Sequence, residues 1–159
     1  MTRILGIDPG LQHMGWGIID QQGSRLSFVA AGTCSPKPKQ PMAERLFQLH
    51  EEIERIKAIH APDISAIEET FVNVNASSTL KLGNARGAIM LSLAISGLEV
   101  HEYAARLIKK TVVGSGRADK DQMKMMVEVL LPSCRDQGLN ADGYDALAIA
   151  ICHANHSHL

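Results

Sequence analysis

The chain has 159 residues, 45% of them hydrophobic, with a formal charge of −1. That length suits one domain around one core, and the near-neutral charge excludes a uniformly basic nucleic-acid binder. Cys34, Cys134 and Cys152 lack C-x-x-C spacing, which argues against a disulfide framework or zinc site and fits a reducing cytoplasm. The first apolar stretch ends in Asp8-Pro9-Gly10 and the longest runs only from Ala88 to Ile95, so neither a leader nor a membrane span is expected.

In chain order, strands are predicted over Arg3 to Asp8, Gly15 to Asp20 and Arg25 to Thr33, joined by short glycine-containing links that imply antiparallel hairpins. After Pro36, Pro38 and Pro41, the spacing of Met42, Leu46, Leu49, Ile53, Ile56 and Ile59 predicts a helix ended by Pro62. The strand Asp63 to Glu68 follows that helix and should run parallel to a neighbour. A helix from about Ala76 to Ser96 carries Gly83 and Gly87 four apart, a pattern that costs helix stability and suggests a close backbone approach or a partner surface. Then come a short strand from Glu99 to Glu102, helices from Ala104 to Val112 and from Asp119 to Leu131, and a last helix opening at Ala141 with Asn140 as its cap. The expected fold is α/β: a mixed five-stranded sheet, three antiparallel strands then parallel strands, flanked by helices. Residues 1–159 are expected to form this single domain, with a short flexible tail from about residue 154 whose histidines, His153, His156 and His158, are solvated.

Four carboxylates stand out. Asp8 and Glu68 close apolar strands, and Asp142 and Asp145 open the last helix three residues apart, on one side of it. Each has a plain reading alone: a turn aspartate before Pro9, a strand-end charge, two acids at a helix start. Together they suggest a meeting point, and crowded carboxylates are costly unless a cation neutralises them. Two divalent ions would satisfy such a set, and hard oxygen donors favour Mg2+, with Mn2+ able to substitute. The segment Tyr103 to Lys124 is locally basic by four charges, with Arg106, Lys109, Lys110, Arg117, Lys120 and Lys124 against Asp119 and Asp121. A basic stripe beside an acidic pocket suits a polyanion that is held and cut.

These residues resemble, over essentially the full chain, the crossover (Holliday) junction endodeoxyribonuclease RuvC family, with its RNase H-like fold. The matching pieces are Gly6-Ile7-Asp8-Pro9-Gly10 with Gly15-Trp16-Gly17, Ala66-Ile67-Glu68-Glu69-Thr70-Phe71, and Leu80-Lys81-Leu82-Gly83-Asn84-Ala85-Arg86-Gly87. Further on come Glu102-Tyr103-Ala104-Ala105-Arg106, Thr111-Val112-Val113-Gly114 with Lys120, and Asp142-Gly143-Tyr144-Asp145-Ala146-Leu147-Ala148. The resemblance implies that Asp8, Glu68, Asp142 and Asp145 are catalytic metal ligands, in an enzyme that cuts two symmetry-related strands of a four-way DNA junction. It implies 5′-phosphate and 3′-hydroxyl ends, a homodimer formed through the helix of Gly83 and Gly87, and a complex with a branch-migration motor of the RuvA and RuvB type.

By the same resemblance Phe71 is a wedge that stacks on an unpaired base, Lys109 and Lys120 hold phosphates, and Lys120 also offsets charge at the scissile group. Lys81, Arg86, Arg106, Lys110 and Arg117 are further candidates for backbone contacts. Three other functions are weighed against this one. Asp8-Pro9-Gly10 also resembles the phosphate loop of the actin and sugar-kinase superfold, but that architecture needs two such domains. A junction-binding scaffold would leave the acidic set unexplained, and the Phe71 region and the glycine-bearing helix count against an RNA-strand hydrolase.

Overall fold

Side-chain alternation along the central strands divides the molecule into two apolar layers, one on each face of a five-stranded sheet. In this computed structural model, which describes residues 1–70 and 74–157, the strands are β1 (Thr2–Asp8), β2 (Met14–Gln22), β3 (Arg25–Cys34), β4 (Ile64–Glu68) and β5 (Val100–Tyr103). Their order is β3-β2-β1-β4-β5. β1 runs antiparallel to β2, and β2 to β3, while β1 and β4, and β4 and β5, are parallel. The hairpins follow from the short glycine-containing links, and the parallel pairs from the helical crossovers α1 (Met42–His60) and α2 (Ala76–Ile95). Helices α3 (Ala105–Val113), α4 (Lys120–Leu130) and α5 (Ala141–His156) complete the domain.

Leu5, Ile7 and Ile67 point to the layer covered by α1 and α2, whose buried face includes Leu49, Ile53, Ile56, Ile89 and Leu93. Ile4 and Ala66 point the other way, into the layer built by α3, α4 and α5. α5 lies between the sheet and the helices α3 and α4, and every residue from Ala146 to Ala154 is buried. A helix apolar all round is what such a central position requires. It reaches the sheet closely because β1 and β2 present glycines to it. A Cβ on Gly6 would run into the Ala146 carbonyl oxygen and stand 2.8 Å from the Ala150 nitrogen, and one on Gly15 would press on the backbone of Asp142. The Gly15-Trp16-Gly17 motif is therefore a seat for α5.

One expectation needs correction. α5 continues to His156, so the chain is helical past residue 154, and His153 is buried at 2% exposure rather than solvated. Its Nδ1 lies 2.8 Å from the Tyr103 hydroxyl on β5, and burial pushes its pKa down to about 4. Of the two readings of Gly83 and Gly87, a close backbone approach within the chain is not found, since a Cβ at either would meet nothing within 4 Å among the described residues. Among the described residues, no helix is long and apolar enough to cross a membrane.

Candidate active site

The register of β1 on β4 pairs Ile7 with Ile67, so Asp8 and Glu68 are neighbours at the carboxyl ends of adjacent strands. Alternation sends both toward the α5 layer, since Ile4 and Gly6 precede Asp8 on that face and Ala66 precedes Glu68. α5 begins there. Asn140 caps it, its side-chain oxygen accepting from the Gly143 N–H at 3.0 Å, and Asp142 and Asp145 follow in the first two turns. Gly15 sets the distance, because any larger residue would push the start of α5 away from the sheet.

The four carboxylates line one cavity of about 570 Å3, together with Lys109 of α3 and Lys120 of α4. Ala105, Ile108, Met123 and Ile149 give it an apolar floor. Lys120 Nζ stands 3.5 Å from Asp145 Oδ2 and is otherwise exposed. Both lysines enter the site through the packing of α3 and α4 on α5, whereas in sequence no basic residue lies near the acids.

The electrostatics follow from this crowding. Asp8 is pushed up to about 8, chiefly by desolvation and then by the charges of Asp145, Glu68 and Asp142, with Lys120 pulling the other way. Glu68 is raised by desolvation and by Asp145, against Lys109 and Lys120. Asp145 is raised by desolvation, with Lys120 opposing. Among the described residues, no three His, Cys, Asp or Glu side chains are already closed around a point that a metal could occupy. The donors nonetheless suit a hard divalent cation: all are carboxylates, three are held above their ordinary range, and positive charge among them would relieve both conditions.

The remaining candidates are scattered. Arg86 is turned inward, paired with Glu102 on β5, and its Nε donates to the Glu68 carbonyl oxygen at 3.4 Å. It braces the strand that carries Glu68 instead of presenting an open cation. Lys110 and Arg117 are exposed, on α3 and on the loop after it, outside the cavity lining. Lys81 is exposed early in α2, beside a second cavity that shares Asp142 with the first. Phe71 and His158 lie outside the described residues. Sequence reasoning missed Arg45, which borders that second cavity. Its signal was an arginine three residues after Met42 and one before Leu46, on the edge of the apolar face of α1.

A family model described as crossover junction endodeoxyribonuclease RuvC matches residues 4–153. The RuvC of Azorhizobium caulinodans is 57% identical over 156 residues, covering 98% of this chain and 91% of that protein. The RuvC of Paramagnetospirillum magneticum is 56% identical over 154 residues, covering 97% and 92%. Among solved structures, T. thermophilus RuvC in complex with a Holliday junction substrate superposes with a TM-score of 0.90 at 27% identity, covering 99% of this chain and 95% of that one.

Proposed function

From its membership of the crossover junction endodeoxyribonuclease RuvC family, to which the chain belongs, we propose a function: a Holliday junction resolvase whose hydrolytic centre is the four-carboxylate cavity. The observation that carries this reading is the convergence of Asp8, Glu68, Asp142 and Asp145, from two strands and a helix, beside Lys109 and Lys120. The RNase H-like sheet brings them together, and the T. thermophilus relative of the same fold holds a four-way junction.

In this mechanism Asp8, Glu68, Asp142 and Asp145 would hold divalent metal, taken as a pair of Mg2+ ions for which Mn2+ would substitute. When bound, that metal supplies Lewis acidity to an in-line displacement at phosphorus. Asp8 and Glu68, on rigid strand ends, set one side of the reacting phosphate, and Asp142 and Asp145 set the other. Lys109 grips a non-bridging phosphate oxygen. Lys120, within reach of Asp145, offsets the charge that grows as the P–O3′ bond breaks. The hydroxyl of the water ends on the phosphate and its proton on the departing O3′, which leaves a 5′-phosphate and a 3′-hydroxyl. Phe71, just beyond β4, would stack on a base opened at the junction centre.

A junction has two-fold symmetry, and paired cuts call for two sites related by one axis. The outer face of α2 supports a homodimer: Leu80, Leu91 and Ile95 are 67%, 61% and 68% exposed, in line with the exposed Gly83 and Gly87. Association with a branch-migration motor of the RuvA and RuvB type, and a cytoplasmic location, belong to the same proposal. The experiment is to incubate the protein and magnesium with a synthetic four-way junction, plain duplex and RNA–DNA hybrid. Paired symmetric nicks in the junction alone are expected, and Asp8→Asn should bind without cutting; equal cutting of plain duplex would refute the reading.

A further inference from the structure

Beyond Asp142, a cavity of about 320 Å3 is walled by the loop between β1 and β2, the start of α1 and the first turns of α2. Arg45, Lys81 and His13 bring basic groups to it and Ser78 a hydroxyl. Asp142 is the single carboxylate among the described residues lining it, and the same residue forms a wall of the catalytic cavity. The two spaces therefore adjoin, one acidic and the other carrying the positive charges of Arg45 and Lys81.

Arg45 is held in place. Its Nη2 donates to the Leu11 carbonyl oxygen at 3.3 Å, while its Nε is buried with no hydrogen-bond partner among the described residues. A buried donor without an acceptor is costly, and a guanidinium is built to give paired N–H groups to phosphate oxygens. The His13 Nδ1 lies 2.7 Å from Ser35 Oγ. The ligand class that places one anion in each of two adjoining cavities is a chain of regularly spaced phosphates.

We propose that this cavity is a second phosphate subsite, in which Arg45 and Lys81 hold the phosphate of the cut strand that neighbours the scissile one. The subsite rests on the nuclease reading above and gives it a register: a strand anchored on both sides of Asp142 can slide neither way across the acids. Anchoring of this kind aligns the reacting bond without touching it.

The test uses the full chain, magnesium and synthetic four-way junctions in which single phosphates around the cut are replaced by neutral methylphosphonates. For the wild type, one position next to the scissile phosphate should weaken binding about tenfold. Arg45→Gln and Lys81→Gln should each weaken binding of the unmodified junction by a similar factor, and lower the slope of log affinity against log salt by about 0.9. At the sensitive position the two losses should not add, because substitution and neutralisation remove the same contact. Full additivity at every position for both variants would overturn the subsite and leave Arg45 as a brace for the Leu11 loop. Lys81 makes no bond to that loop, so Lys81→Gln keeps the test valid if Arg45→Gln unfolds. A wild type inactive on the unmodified junction would refute the nuclease reading itself, and is read separately from the methylphosphonate series.

Discussion

In chelator, Asp8→Asn should stabilise the protein, and increasingly so as pH rises. The Asp8 carboxyl sits at about 8 against an ordinary 3.8, so the folded state keeps a proton that the unfolded chain has already released. The sign follows: the contribution of this group is fully present below about pH 4 and is lost as pH rises through 8. Within that window each pH unit costs about 1.36 kcal/mol. From pH 5.5 to 8 the advantage of the neutral asparagine should widen by about 3 kcal/mol, or about 2 once neighbouring groups relax and water enters. For a chain of this size that is roughly 4–8 °C in Tm. His60 and His153, both held below their ordinary 6.5 chiefly by burial, are common to both proteins and cancel in the difference. The assay is urea unfolding of both proteins in EDTA at pH 5.5, 7 and 8, repeated with saturating magnesium, which should restore the wild type far more than the variant. A stability difference that stays constant from pH 5.5 to 8 would show that Asp8 is not forced into charge among other acids, and the account of the site would fail.

The same proton must leave before Asp8 can hold a cation, so the apparent affinity for magnesium should weaken about tenfold per unit below pH 8; calorimetry giving equal affinities at pH 8 and 6 would contradict this. Gly6→Ala should destabilise by about 3 kcal/mol, measured by denaturant unfolding, because the added methyl meets the backbone of α5, which has no room to retreat. Lys120→Ala should lower kcat on a four-way junction about 100-fold with a much smaller loss of junction affinity, since its ammonium faces the reacting centre. Gly87→Leu, placed in open space on α2, should leave the fold intact but yield a monomer by mass in solution; an unchanged dimer would place the two-fold axis elsewhere.

Much of this was legible in local pattern. Period-two alternation set Asp8 and Glu68 on faces of their strands, and the links of β1 to β2 and β2 to β3 were short enough to allow only hairpins. Asp119 caps α4 as expected, in a reciprocal pair with Gln122. Local pattern misjudged the end of the chain, where a short tail with solvated histidines was expected from about residue 154. α5 instead carries its buried face on to Ala154 and supplies His153 as a partner for Tyr103.

The amino-acid order by itself determined which side chains are acidic, which segments are strands or helices, and which face of each is apolar, because those properties depend on neighbours a few residues away. It also carried the glycines that let a helix rest on strands. Tertiary packing alone decided that Asp8 stands beside Glu68, that α5 delivers Asp142 and Asp145 to them, and that Lys109 and Lys120 complete the same cavity. Charge interacts through space, so the raised proton affinity of Asp8 exists only once groups more than 130 residues apart in the chain are folded together.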